Sequence, residues 1–249
     1  VLGVLRWIAD HPRQNVYLRQ IDVPGVDSKF IERHRSLLAE LLDQILPAET
    51  LDASIARGLN GFERRYGFRS KPVQIRFRLL GGQKTLQGLS DLSVPGDEFA
   101  RLSLPVRRVF ITENEINFLA FPLVAGSMVI FGAGYGFEPL AEASWLGDKA
   151  IYYWGDIDTH GFAILDQLRS HFPQARSVLM DRETLMAHRA LWGREENPTQ
   201  RELLHLLPDE AGLYDDLRHH RIGPALRLEQ ERISFARVQA ALAVLDRRV

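Results

Sequence analysis

Two pairs of carboxylates stand directly after apolar runs of strand character. Glu113 and Glu115 follow the run at residues 106–112 (VRRVFIT). Asp156 and Asp158 follow the run at 150–154 (AIYYW), within Gly155-Asp156-Ile157-Asp158-Thr159-His160-Gly161. In a parallel sheet both sets emerge at the same edge, where such sheets place their ligands. Three or four carboxylates gathered there repel one another unless a hard divalent cation joins them. Magnesium takes one or two carboxylates, several waters and substrate phosphate oxygens, and manganese accepts the same hard donors. Such a cluster suits phosphoryl transfer. The plainer alternative is that each acid caps the helix behind it. Asp181, after SVLM at 177–180, reads as a further ligand or as an ordinary cap, and Glu229 and Glu231 in RLEQE read either as lining the site from an extended segment or, more plainly, as a solvated face. GAGYGF at 132–137 departs from the dinucleotide fingerprint, because Phe137 stands at the third glycine position, and reads as a tight strand-to-helix turn.

These acids need a scaffold that brings them together. From Pro105 onward, strands at 106–112, 127–131, 150–154 and 177–180 alternate with helices near 114–122, 139–146 and 161–171. That alternation predicts βαβ units and a parallel sheet. A helical region at 199–207 and an extended segment around 225–233 complete the chain. Before Pro105 the pattern differs. A short apolar stretch covers 1–7, and 17–23 alternates like a strand. Asp27 or Ser28 can cap a helix with apolar positions at Phe30, Ile31, Leu37, Leu38, Leu41, Leu42 and Ile45. A second short helix is expected at 51–59. A strand at 73–79 carries Arg76 and Arg78 on one face, and another extended piece follows at 89–95. The predicted fold class is α/β, with a parallel-sheet domain over 105–249 preceded by a helix-rich, winged-helix-like module over 1–104. Val1 stands where a methionine would open the chain, so a fragment or processed form is expected, with the first module holding a remnant of an N-terminal domain.

At 249 residues, one or two domains are expected. Cysteine is absent, which excludes disulfides, thiolate metal sites and a cysteine nucleophile. That absence fits a reducing, cytoplasmic setting. No apolar run approaches the roughly 20 residues that cross a bilayer, so no membrane partner and no signal peptide are expected. The formal net charge of −1 hides a division. Residues 55–84 hold eight basic residues against one acid, Glu63, whereas residues 105–168 hold three basic residues against eight acids. The cationic stretch reads as a grip on phosphate backbone through Arg64, Arg65, Arg69, Lys71, Arg76 and Arg78. The anionic stretch reads as a metal cradle.

The order of acid, glycine-rich loop and DxD resembles the Toprim domain shared by topoisomerases and primases. ITENEINF is similar to the Glu-bearing strand end of the DNA-cleaving subunit of topoisomerase VI and of the meiotic recombination endonuclease, and DIDTHG matches their DxDxHG. The stretches LRQIDVPGVDSKFIERH, VFITENEINFLAFP, GAGYGF and YYWGDIDTHGFAILDQLR resemble the JetD family, the nuclease subunits of bacterial Wadjet plasmid-defence systems, across nearly the whole chain. The resemblance implies a Toprim-like, Mg²⁺-dependent DNA endonuclease, with Mn²⁺ as an alternative ion. It makes Glu113 a metal ligand or general base, Asp156 and Asp158 the metal pair, and His160 the residue that orients phosphate or the leaving oxygen. Glu115, in the following turn, is a further candidate. The implied partners are double-stranded DNA, an SMC-type motor complex and a second copy of the chain. Topoisomerase-type relatives use a catalytic Tyr in a preceding winged-helix module. Here Tyr66 lies in the basic stretch but in no matching motif, so it reads as a core or phosphate-contacting Tyr and a metal-activated water becomes the nucleophile. Three alternatives stay open: a non-catalytic DNA-binding subunit, a tyrosyl transesterase, and a haloacid-dehalogenase-type phosphatase. The last would need Thr four residues after its first Asp, where this chain has His160.

Overall fold

Leucine, isoleucine and valine at helical spacing build the first 71 residues. Val4, Leu5 and Ile8 line one side of helix α1 (Leu2–Asp10). They join one apolar cluster with Ile31 of α2 (Ser28–Arg33), Leu38 and Leu42 of α3 (Arg35–Ile45), and Phe62 of α4 (Phe62–Arg65). Asp27 caps α2 as expected, accepting the Phe30 N–H at 2.7 Å. The strand expected at 17–23 is instead a single 3₁₀ turn, Leu18–Gln20. Its buried residues, Leu18 and Ile21, lie three apart, a helical spacing that the surrounding alternation masks. The helix expected at 51–59 is not formed over 51–56. There, Asp52 instead accepts the Ser54 N–H and hydroxyl at 3.0 and 2.6 Å, a local turn of the kind that competes with helix.

The computed structural model describes residues 1–56, 61–81, 86–132 and 137–246. It divides into two units, Val1–Lys71 and Pro72–Val249. The division falls well before the expected boundary at 104/105. The reason is the hairpin of β1 (Gln74–Leu79) and β2 (Asp91–Pro95), which in sequence resembles the wing of a helical module. It pairs instead with the large sheet, β1 lying antiparallel to both β2 and β4. The first unit therefore has no strand among its described residues, and the winged-helix expectation is not met by a wing of its own.

The second unit is α/β. After α5 (Gly96–Ala100) come β3 (Arg108–Thr112), α6 (Glu115–Leu119), β4 (Ser127–Phe131), α7 (Glu138–Ala141), β5 (Ala150–Trp154), α8 (Thr159–His171) and β6 (Arg176–Ser177). The sheet order is β2-β1-β4-β3-β5-β6, and β4, β3, β5 and β6 pair in parallel. All five residues of β3 are buried, as expected for a central strand covered on both faces. The remainder comprises α9 (Arg182–Ala187), β7 (Gly193–Arg194), α10 (Pro208–Arg218), β8 (Leu226–Arg227) and α11 (Phe235–Asp246). The helix expected at 199–207 begins later, at Pro208. Proline is tolerated in a first helical turn, and Glu210 accepts the Leu207 N–H to close that turn at 2.8 Å. Among the described residues no helix is long and apolar enough to cross a membrane.

One topological feature positions everything that follows. From β3 the chain moves to β4 on one side, then crosses back to β5 on the other. A switch of this kind opens a crevice at the carboxyl ends of the two diverging strands, here β3 and β5.

Candidate active site at the switch point

Glu113 leaves the end of β3, and Asp156 and Asp158 leave the end of the neighbouring β5, with Thr112 in register with Trp154. Parallel pairing thus brings the two predicted sets to one edge. Glu113, Asn114 and Asp156 line a cleft of about 260 Å³ together with Arg227, Glu229, Gln230 and Glu231.

Each carboxylate is held differently. Asp158 is buried, 4% exposed, and caps α8 by accepting the Gly161 N–H at 2.7 Å. It therefore fulfils the capping alternative while its second oxygen, Oδ2, lies 3.4 Å from Arg227 Nε. Asp156 accepts the Gln230 N–H at 2.8 Å through Oδ1, and Arg227 through Oδ2. Glu113 accepts the phenol of Tyr153, a fully buried residue of β5 on the same face of the sheet. Burial, then the charges of Asp156 and Asp158, pushes the Glu113 carboxyl up to about 8, against a partial offset from Arg227. Burial likewise raises Asp158 to about 6, with Glu195 and Asp156 adding to it and the Gly161 N–H opposing it.

Two glycines make this packing feasible. A Cβ at Gly155 would overlap the Tyr153 hydroxyl oxygen, in the space the phenol needs to reach Glu113. A Cβ at Gly161 would overlap the Asp156 carbonyl oxygen. The glycine of DIDTHG thus lets the first turn of α8 close onto the DxD backbone.

The segment after β8 forms the far wall. Leu228 and Ile157 exchange backbone hydrogen bonds at 2.9 and 3.1 Å. Gln230 is buried and accepts the Thr112 hydroxyl at 2.5 Å and the Asn117 amide at 3.2 Å. Asn114 donates to Glu231 at 2.8 Å and also caps α6. Of the two readings of Glu229 and Glu231, it is the lining of the cleft from an extended segment that the structure bears out, against the favoured solvated face. Sequence reasoning missed Arg227, Gln230 and Tyr153. It also missed Glu195, which is buried and accepts the Thr159 N–H and hydroxyl and the His160 N–H at 3.2, 2.7 and 3.1 Å. The signal is weak: RLEQE shows only an Arg set among acids on an extended run.

The other predicted residues go elsewhere. His160 is exposed, with Nε2 2.7 Å from the Asn197 carbonyl oxygen, and does not line the cleft. Glu115 accepts from Arg76 at 2.6 Å and does not line it either. Asp181 caps α9 through the Thr184 N–H and borders a separate cleft of about 850 Å³. The glycine-rich loop at 133–136 lies outside the described residues.

The basic residues are divided in the same way. Arg65 is buried: it grips both oxygens of Asp43 at 2.9 and 2.8 Å and donates to the Asp52 and Ile55 carbonyls. Arg76 pairs with Asp91 and Glu115, and Arg78 donates to the Phe118 and Leu119 carbonyls. Each of the three is thus engaged within its own unit. Arg64, Arg69 and Lys71 are exposed. Tyr66 is 2% exposed, its hydroxyl lying 2.7 Å from Asp43 Oδ1 and 3.0 Å from the Ala39 carbonyl oxygen, and burial pushes it up to about 12.

The oxygen-only donor set fits a hard divalent cation in kind. Among the described residues, no three His, Asp or Glu side chains converge as they stand on one coordination point. The guanidinium of Arg227 lies among them instead.

Fold and site together define an α/β protein with an acidic centre at the switch point of a mainly parallel sheet. The chain belongs to the JetD family of Wadjet proteins: the family described as "Wadjet protein JetD, C-terminal" matches residues 67–242. That span takes in every residue of the acidic centre. Residues 1–43 match a second family, described as "Uncharacterized protein conserved in bacteria N-term". No curated protein shows a significant match to the chain.

Proposed function

We propose that this chain is the DNA-cutting subunit of a Wadjet-type plasmid-defence system, a Toprim-type endonuclease that hydrolyses phosphodiesters of duplex DNA with Mg²⁺ or Mn²⁺. The observation that carries the reading is that Glu113 and Asp156 line one cleft while buried Asp158 shares the Arg227 guanidinium with Asp156, Glu113 and Asp158 being held at raised pKa by burial and the neighbouring acids. A divalent cation on such a set would end the repulsion, and its binding would release the protons that compete for the same oxygens.

The chain's own residues supply the rest. Asp156 and Asp158 present oxygens from a loop clamped by Gly161, Gln230 and Glu195. Glu113 would serve as a metal ligand or take a proton from an attacking water, and Tyr153 fixes its direction. A bound ion would lower the pKa of that water and offset charge on the phosphate. The buried hydroxyl of Tyr66 has both its neighbours inside the helical unit, which favours water over tyrosine as nucleophile. Exposed Arg64, Arg69 and Lys71 would hold duplex backbone without reading sequence. Family membership points to a multi-subunit system, so an SMC-type motor is the expected partner, in the cytoplasm, with a second copy cutting the other strand.

The test is closed-circular plasmid with Mg²⁺ and the motor complex, comparing the parent with Glu113→Ala and Asp158→Ala. The parent is expected to yield linear or nicked product and the variants none. Equal cutting by the variants overturns the site, and no cutting by the parent overturns the nuclease.

A further inference from the structure

Among the described residues, Arg227 is the one basic side chain that lines the acidic cleft. Its guanidinium donates to Asp156 Oδ2 through Nη2 at 2.5 Å and Nε at 3.1 Å, and Nε lies 3.4 Å from Asp158 Oδ2 and 3.9 Å from Glu229 Oε1. One cation thus serves three carboxylates. The backbone beneath it is fixed on both sides. Arg227 is in register with Gly193 of β7, and the next residue, Leu228, is bridged in both directions to Ile157 between the two aspartates. Withdrawing the Arg227 backbone would break the β7–β8 pairing and the Ile157–Leu228 bridge, so the side chain is the part that can move at least cost. That side chain is 37% exposed, at the mouth of the cleft.

We infer that Arg227 is a phosphate-binding residue that rests on the DxD pair as its counter-cation and transfers to the substrate phosphate when a divalent cation takes those carboxylates. The inference rests on the metal-dependent reading above. Asp156 Oδ2 already accepts two N–H groups, so a dication on that oxygen and the guanidinium compete for the same lone pairs. Like charges held close repel, which moves the guanidinium off the pair. The remaining lining of the cleft carries Glu113, Asp156, Glu229 and Glu231, a surface that repels a phosphodiester. A displaced guanidinium on a backbone so anchored stays within reach of the cleft as a positive group. Its planar fork matches two phosphate oxygens, which a lysine ammonium cannot do.

The experiment uses the full chain with Arg227→Gln and Arg227→Lys, and reads two quantities. Calorimetric Mn²⁺ titration without DNA should show the Gln variant binding at least tenfold tighter than the parent, because the competitor is gone. Plasmid cutting with the motor complex should fall at least 100-fold in the Gln variant. The Lys variant should recover less than a tenth of the parent rate. Unchanged or weaker Mn²⁺ binding in a folded Gln variant overturns the counter-cation role. Unimpaired cutting overturns the phosphate role. Melting curves report folding. Should the Gln variant not fold, the Lys variant decides, since parent-like cutting by a monodentate cation also overturns the inference. Failure of the broader reading looks different: there Glu113→Ala cuts as well as the parent, whatever Arg227 does to Mn²⁺.

Discussion

Arg227 and Asp156 are 71 residues apart in sequence, yet one carboxylate oxygen of Asp156 receives two N–H groups of the Arg227 guanidinium. The contact ties the C-terminal part of the chain to the loop after β5. It makes the charge balance of the centre a property of long-range folding.

That balance sets a pH dependence. The carboxyls of Glu113 and Asp158 titrate higher in the folded chain, near 8 and 6, than their ordinary values of 4.5 and 3.8. Between the two sets of values the native state holds protons that the unfolded chain has released. The contribution of these two groups to stability is then full below about pH 4 and is lost as pH rises through 8, at up to roughly 1.4 kcal/mol per proton for each step of one in pH. In metal-free buffer with EDTA, the melting temperature should fall from pH 5 to pH 9. Glu113→Gln should remove most of the fall above pH 6. A variant profile parallel to the parent's counts against this origin.

Gly155→Ala and Gly161→Ala should both destabilise the second unit by about 1–3 kcal/mol, the usual cost of overpacking. Their effects on the centre differ. Gly155→Ala displaces the Tyr153 phenol from Glu113, whereas Gly161→Ala pushes the helix start off the Asp156 carbonyl. Denaturant midpoints measure the loss of stability. Tyr153→Phe provides the control for the effect on the centre: if Gly155→Ala and Tyr153→Phe alter plasmid cutting by unrelated factors, the Tyr153–Glu113 link is not the route.

Glu195→Ala leaves three donors at the start of α8 without their acceptor. A loss of about 2–4 kcal/mol is expected, since each buried unmade hydrogen bond costs about 1–3 and water recovers part. Glu195→Gln keeps one oxygen acceptor and should lose less than half as much. Urea melts of the two variants separate hydrogen bonding from charge, and equal losses would assign the effect to charge.

Basic residues that look alike in the sequence should respond differently. Arg65→Met removes the partner of buried Asp43 and should cost about 3–5 kcal/mol of stability in the helical unit. Arg69→Gln with Lys71→Gln should leave the melting temperature within a degree or two. The pair should lower the slope of log affinity against log salt for duplex DNA by about 0.9 per lost phosphate contact. An unchanged slope would remove these two residues from the DNA surface.

The sequence is most readable where a signal is local. An apolar strand followed at once by acids can be seen in a dozen residues, so Glu113, Asp156 and Asp158 stand out without a fold. The parallel sheet follows from the same alternation. Partners across the chain are not readable. The alternation in β1 predicts a strand but not its neighbour, so the hairpin is placed with the helical unit and the pairing of Arg76 with Asp91 and Glu115 is not foreseen. The run RLEQE carries no periodicity that would announce a wall of the cleft; only the bridge between Leu228 and Ile157 puts it there. Arg65 shows the limit of counting charge, because burial removes a residue from the surface without altering the sum.

The distance along the chain between the aspartates and their clamp also orders events during synthesis. Arg227 and Gln230 follow Asp156 by 71 and 74 residues. At about 5–20 residues per second, a ribosome adds them roughly 4–15 seconds after the DxD loop has been made. Until then the nascent sheet carries its acids without their arginine, and a chain stalled short of Arg227 would keep them so. The acidic centre therefore cannot become whole until the chain has been made through Gln230.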